Sequence, residues 1–346
     1  MPLLTRRRML TTALGGVGAW GLWKGRSSPQ CDQRAGQKTL RPDAAPGIFV
    51  RTGRALGTAV SISVLHHDQQ VADRATAEAF AELGRIEDVL SLYRPDSQVS
   101  RLNREGVLED AHLHLQKVLT ASLTMSRQTG GAFDVTVQPL WETYAAAAGL
   151  TRLPADEEIE AARRRVDWRE ISLSGSRVEL RRPGMAVTFN GIAQGYATDR
   201  VKAVLQEQGI RQALVDIGEI GAMGEKPGGE PWKVGIQHPR VADAYVCVAQ
   251  LKERSLATSG DYATIFSEDH RDHHIFDPAT GRSPTEFASV SVAATTTMAA
   301  DALSTAIFVL GYGKGMELTR STPGADVLFV FKDGSVMSTE GFPRAV

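Results

Sequence analysis

Three features of the chain predict an α+β fold. Strand-like and helix-like segments are mixed without the regular βαβ alternation of a doubly wound sheet. Short alternating runs such as 57–65 (GTAVSISVL) read as strands, while longer runs carry apolar residues at helical spacing. The composition is that of an ordinary globular protein, with 346 residues, 42% hydrophobic and 23% charged. That length supports a full core, and length alone permits one large domain or two. A formal net charge of −1 argues against a nucleic-acid partner held by bulk charge. No internal apolar run reaches the length of a membrane span.

The elements follow in order. Residues 27–50 are rich in Pro, Gly, Ser and charge and read as a linker, so the folded domain is placed at 51–346. After the 57–65 strand, 69–92 is a helix with Val71, Ala75, Ala79, Leu83, Ile86 and Leu90 on its inner face. Residues 91–106 (SLYRPDSQVSRLNREG) read as a polar loop, and 112–129 as a second helix ended by Gly130-Gly131. Residues 132–138 read as short and extended, 139–148 as a helix with Pro in its first turn, and 150–165 as a charged peripheral helix. A hairpin is expected at 171–173 and 178–180, across Ser174-Gly175-Ser176.

The central stretch is 187–201, VTFNGIAQGYATDRV. It reads as a short buried strand (185–189), a turn at Asn190-Gly191, and a helix running to about Gly209. Glycine there lets the chain approach a ligand closely, and the first helical turn offers N–H groups to an anion. An ordinary capped helix start explains the same letters. Further strands are expected at 213–217, 232–237, 246–251, 289–293 and 327–331, and a strongly apolar helix at 298–310, opened by Thr295-Thr296-Thr297 and closed by Gly311.

The N-terminus has its own pattern. Arg6-Arg7-Arg8 precedes a mildly hydrophobic, glycine-containing run over 9–23 and then Lys24-Gly25-Arg26. This order fits an export signal of the twin-arginine type over residues 1–26, and a periplasmic protein, anchored to the inner membrane where the signal is retained. Of two cysteines, Cys31 lies in the linker and Cys247 alternates with apolar residues, so a disulfide framework is excluded and Cys247 reads as a small buried hydrophobe.

Several constellations bear on chemistry. Asp301 and Thr305 lie four residues apart, which puts a carboxylate and a hydroxyl on one face of the apolar helix, a turn apart. Two hard oxygen ligands suit Mg²⁺. Asp301 complementing the helix dipole while Thr305 bonds back to its own helix accounts for the pair equally, and is the commoner arrangement. The run 268–278 (EDHRDHHIFDP) holds three histidines and four acids. It offers zinc ligands, but it reads as a solvated loop entering a short strand. A His at its junction with the Ala279-Thr280-Gly281 turn is placed to take a proton from a hydroxyl nucleophile. The small-residue stretches 255–262 (SLATSGDY) and 130–134 (GGAFD) read as loops able to line a phosphate or nucleotide. The GxGxxG, P-loop and GxSxG signatures are absent.

Taken as an ordered set, LGT at 56–58, YRPDSQVSRLN at 93–103, GAFDVTVQP at 131–139, NGIAQGYATD at 190–199, VDIG at 215–218, SGDY at 259–262, HIFDPATG at 274–281 and ADALST at 300–305 resemble the ApbE-type FAD:protein FMN transferases. The resemblance implies a T-fold-like core of mixed, mostly antiparallel sheets with packed helices. It implies Mg²⁺-dependent transfer of FMN from FAD to a Thr or Ser hydroxyl of a target flavoprotein, with release of AMP. Carried over by position, Asp301, Thr305 and the Gly191 carbonyl would hold the metal. Tyr93 would stack on the flavin with Leu56 nearby, Ala132, Phe133 and Asp134 would hold the nucleotide, Ile275 would pack against it, and His274 would be the base. The chain departs from the usual pattern at Leu56 (commonly Met), Thr188 (Asp), Gln194 (Lys) and Gly218-Glu219 (Gly-Gly). Thr188 and Gln194 remain candidate flavin contacts with altered chemistry. The NGIAQGY form is similar to members associated with nitrous-oxide respiration, whose target is a membrane-bound flavoprotein facing the periplasm. Binding FAD without transfer, or splitting it to FMN and AMP, are the competing readings.

Overall fold

A two-residue turn at Leu56-Gly57, both residues at positive φ (49° and 75°), starts the architecture by folding strand β1 (Gly47–Ala55) back on β2 (Thr58–His66). The computed structural model describes residues 46–345. The export-signal reading, Cys31 and most of the expected linker lie outside them, and β1 begins inside the stretch read as linker. Helices α1 (Gln69–Leu90), α2 (Gln98–Glu105), α3 (Leu113–Gln128), α4 (Gln138–Gly149) and α5 (Asp156–Arg163) follow, with strands β3 (Val107–Leu108), β4 (Ile171–Ser174) and β5 (Arg177–Leu180) forming a small sheet in the order β3-β5-β4. Helix α6 (Ala193–Glu207) leads to β6 (Gln212–Asp216), β7 (Ile220–Met223), β8 (Trp232–Gln237), β9 (Tyr245–Leu251), β10 (Ser255–Gly260) and β11 (Phe287–Ala294). Helix α7 (Thr297–Ser321), β12 (Asp326–Phe331) and β13 (Val336–Ser338) complete the chain.

The main sheet has eight strands in the order β1-β2-β6-β7-β10-β11-β12-β13, every neighbouring pair antiparallel. The α+β expectation therefore holds. Helices α1, α6 and α7 cover one face, burying Leu83, Ile86, Val201, Leu205, Ile307 and Phe308 against Ile62, Val64, Val215 and Val290. The β8–β9 hairpin covers part of the other face through Trp232, Val234, Ile236 and Leu251. Strand β11 (FASVSVAA) is buried at every position, which explains its run of small and apolar residues. Among the described residues no helix is long and apolar enough to cross a membrane.

Several sequence expectations need correction. The 91–106 loop contains α2: the Ser97 hydroxyl accepts the Ser100 N–H at its start, and Gly106 at φ 76° ends it. Residues 132–138 are not extended. Asp134 instead caps a single 3₁₀ turn, Val135–Val137. The 255–262 stretch is largely a strand, β10, rather than a loop. Residues 185–189 are buried as expected but pair with no strand. The Asn103 side chain takes the partner's place, donating to the Val187 carbonyl at 2.8 Å and accepting its N–H at 2.7 Å. The last helix runs beyond Gly311, which breaks it with φ 77° and ψ 177°. Cys247 is half-buried rather than enclosed.

Candidate functional site

The site is built where the starts of α6 and α7 meet. A Cβ added at Gly195 would lie 2.4 Å from the Thr297 carbonyl oxygen and 2.7 Å from the Asp301 Cβ, so only glycine permits this approach of the two helices. The Gly195 N–H donates to Asp301 Oδ2 at 2.9 Å. The anion at the α6 N-terminus is thus the protein's own Asp301, rather than a ligand held there by the helix alone. Two further donors of that first turn are also used, Ala193 N–H by the Phe189 carbonyl and Tyr196 N–H by the Ile192 carbonyl.

Helix α7 is tied down in the same way. Asp199, on α6, accepts Thr297 N–H and Met298 N–H, both at 2.9 Å; the Thr296 hydroxyl accepts Ala299 N–H, and the Thr296 carbonyl accepts Ala300 N–H. All four initial donors of the helix are satisfied. One turn on, a Cβ at Gly191 would fall 2.9 Å from Thr305 Oγ1, so the Asn190-Gly191 turn lies directly against that hydroxyl. Ser259 of β10 completes the cluster, its Oγ 3.1 Å from Thr305 Oγ1 and 2.8 Å from Ser304 Oγ.

Gly191, expected as a set with Asp301 and Thr305 though it lies more than a hundred residues earlier in the chain, is therefore brought against the α7 turn that carries them. The donor types present, one buried carboxylate, one hydroxyl and the backbone of the turn lying against that hydroxyl, are hard oxygens and fit Mg²⁺. Among the described residues no group of three or more His, Cys, Asp and Glu converges, and the 268–278 run accordingly does not assemble a zinc cluster.

Two of the three histidines of that run, the adjacent His273 and His274, differ in their surroundings. His273 is fully buried, its ring 5.5 Å from that of Phe308 on α7. Its Nδ1 accepts Ile275 N–H, so Nε2 carries the proton and donates to the Pro284 carbonyl at 2.9 Å. Burial pushes its pKa down to about 4, so it is a neutral core residue. His274 is half-buried, with Nδ1 3.3 Å from the Thr264 carbonyl. A carbonyl only accepts, so that contact puts the proton on Nδ1 and the basic lone pair on Nε2. Ile275 is buried in the main core beside it.

The remaining predicted residues fall into three places. Leu56 sits in the β1–β2 turn, its N–H held by Glu87 Oε1 at 3.1 Å, and Tyr93 lies against that turn, 72% exposed. Ala132, Phe133 and Asp134 form the loop after α3, and Thr188 joins them by donating its N–H to the Val135 carbonyl at 2.7 Å. Asp134 accepts from Thr136 N–H, Thr136 Oγ1 and Trp168 N–H, so its carboxyl organises this loop; burial pushes its pKa up to about 6. Gln194 packs against Gly218 in the β6–β7 turn. Sequence reasoning did not single out Asp199, Gly195 or Asn103 by role, because their partners lie 84 to 106 residues away in sequence.

The chain is similar to known proteins over most of its length. The profile described as the ApbE family matches residues 56–329. The FAD:protein FMN transferase of Treponema pallidum is 33% identical over 290 residues, 77% of this chain and 80% of that protein. The enzyme of the same name from Vibrio cholerae is 32% identical over 281 residues, 78% of this chain and 84% of its own length. Among solved structures, the flavinyl transferase ApbE of Pseudomonas stutzeri in its apo form superimposes with a TM-score of 0.75 at 32% identity, covering 88% of this chain and all of that one (100%). The ApbE protein of Thermotoga maritima does so with a TM-score of 0.77 at 30% identity, covering 86% and 100%. The matched segment takes in the β1–β2 turn, the α6–α7 junction and the 268–278 run, and by it this chain belongs to the ApbE family.

Proposed function

We propose that this protein is a Mg²⁺-dependent FAD:protein FMN transferase that modifies a Thr or Ser hydroxyl of a target flavoprotein and releases AMP. The observation that carries this reading is the approach of Gly191 to Thr305 beside Asp301, an oxygen-donor set drawn from helix α7 and the turn before α6. Asp301, Thr305 and the Gly191 carbonyl would hold Mg²⁺, which supplies neutralisation of the dinucleotide's diphosphate charge. His274 Nε2 takes the proton of the acceptor hydroxyl. The acceptor oxygen forms a bond to the FMN phosphorus, the bond from that phosphorus to the bridging oxygen breaks, and AMP leaves with that oxygen. Tyr93 and Leu56 support the flavin ring, and the 132–134 loop with Thr188 and Gln194 borders the nucleotide.

The arginine-led N-terminus supports export, so the acceptor is proposed to face the periplasm. Replacing Arg6 and Arg7 with Lys should leave the protein in the cytoplasm, and continued export refutes that part. The central test incubates purified protein with FAD, Mg²⁺ and a protein bearing an acceptor Thr, followed by intact-mass measurement. An FMN adduct is the expected result. Free FMN and AMP without an adduct replaces transfer with hydrolysis, and unchanged FAD reduces the protein to a binder.

A further inference from the structure

Strand β10 loses its neighbour just before it reaches the cation site. Its pairing with β7 covers only Ser255↔Gly221 and Leu256↔Ile220. Two residues on, the Thr258 N–H is taken instead by a side chain, Glu219 Oε2, at 3.1 Å. Glu219 itself is anchored in the β6–β7 turn, where its carbonyl accepts Ile217 N–H at 3.1 Å and the Thr198 hydroxyl of α6 at 3.3 Å. On the other side Thr258 Oγ1 lies 2.8 Å from Ser291 Oγ of β11. Thr258 is thus held from both flanks. The next residue is Ser259, whose hydroxyl touches Ser304 and Thr305.

We propose that Glu219 is a positioning residue for the divalent-cation site, fixing Thr258–Ser259 in the register that presses the Ser259 hydroxyl against Thr305. The proposal rests on the reading of Asp301, Thr305 and Gly191 as the cation's ligands. Its physical basis is that a ligand hydroxyl is aimed by the group behind it, and loosening that group weakens metal binding. The acceptor geometry carries the effect, so an amide oxygen at the same place serves. A cavity of about 20 Å³ bordered by Glu219, Thr258, Gln237 and Tyr262, room for one water, gives the Gln side chain space to settle.

The test measures Mn²⁺ binding to the full chain by electron paramagnetic resonance, and Mg²⁺ activation of transfer in parallel. Glu219→Gly is expected to weaken Mn²⁺ binding about tenfold, at the lower end of what partners behind metal ligands contribute. The Mg²⁺ concentration for half-maximal turnover should rise by the same factor, with turnover at saturating Mg²⁺ within about twofold of the parent. Glu219→Gln should return both to within about twofold. Ser259→Ala should weaken binding similarly, and the Glu219→Gly/Ser259→Ala pair should be no worse than either alone. If Glu219→Gly does not fold, the Gln and Ser259 variants carry the test. Parent-like Mn²⁺ affinity in Glu219→Gly, failure of Gln to rescue, or additive effects in the double variant each overturn the proposal. A parent that binds no Mn²⁺ overturns the cation reading itself, a distinguishable result.

Discussion

Asp199 and Thr297 join the two helices that carry the site, the Asp199 carboxylate accepting the first N–H of α7 from a position on α6. With its other oxygen on Met298 N–H, the side chain both caps α7 and fixes how far Asp301 stands from the Gly191 turn. Asp199→Ala should therefore destabilise the fold by about 1–2 kcal/mol, the range for losing a helix cap. It should also weaken Mg²⁺ activation, with Asp199→Asn in between because it keeps one acceptor. Urea unfolding and Mg²⁺ titration of transfer measure the two effects separately.

The two glycines of the α6 start should fail differently. A methyl at Gly195 meets backbone, the Thr297 carbonyl, which cannot move without separating the helices; a methyl at Gly191 meets the Thr305 hydroxyl, which can rotate. Gly195→Ala is expected to cost about 2–3 kcal/mol of stability, as overpacked cores do. Gly191→Ala should leave the unfolding midpoint within a few degrees but raise the Mg²⁺ requirement. A Gly191→Ala variant with normal Mg²⁺ activation would detach that turn from the metal site.

What the sequence disclosed depends on the range over which each signal acts. Periodicity and caps are local, so α1, α3 and α7 were legible, and so was the Asp301–Thr305 pair on one helical face. The small strands β3, β7 and β13 carry too few residues for an alternation to register. The buried 185–189 segment misled because a strand's partner there is a single Asn side chain, and no pattern within the segment announces that. The proposed cation set, Gly191 with Asp301 and Thr305, became legible only as part of an ordered family pattern. Nothing near Gly191 in sequence indicates that it meets Thr305.

Under the proposed function, substitutions at His274 and Asp301 should separate proton transfer from cation binding. His274→Gln should lower the transfer rate by roughly a hundredfold or more, the usual contribution of a positioned base, while Mn²⁺ affinity is preserved. Asp301→Ala should abolish both. Stopped assays with intact-mass detection, run beside a Mn²⁺ titration, give the comparison. Retained Mg²⁺-dependent turnover in Asp301→Ala moves the metal elsewhere.

Buried His273 sets a pH dependence of stability with a definite sign. Its pKa of about 4 in the fold lies below the ordinary His value of 6.5, so between these the unfolded chain binds the extra proton and stability falls as pH drops through that window. The full effect is about 3 kcal/mol, from the conversion of roughly 1.4 kcal/mol per unit. Asp134 and Asp216, each raised to about 6 by burial, act oppositely, stability falling as pH rises from about 4 to 6. The comparison that isolates the imidazole is parent against His273→Gln by urea unfolding at pH 7 and pH 4.5. The variant's deficit at pH 7 should shrink or reverse at pH 4.5, and a constant deficit refutes the assignment.

Leu56 combines strain with a candidate role. At φ 49° a leucine costs roughly 1 kcal/mol relative to a residue at ease in the left-handed region, and its N–H is nonetheless pinned by Glu87. Glu87 also pairs with Arg94, the neighbour of Tyr93, so one carboxylate ties the turn to the loop bearing the exposed ring. A side chain held in an unfavourable conformation beside an exposed aromatic is explained if it packs on the flavin that the ring stacks against. Leu56→Asn relieves the strain and removes the apolar contact. It should leave stability unchanged or raise it by up to about 1 kcal/mol, while KM for FAD rises several-fold and kcat changes little. Higher stability with an unchanged KM would assign the leucine to the hairpin alone and remove it from the flavin site.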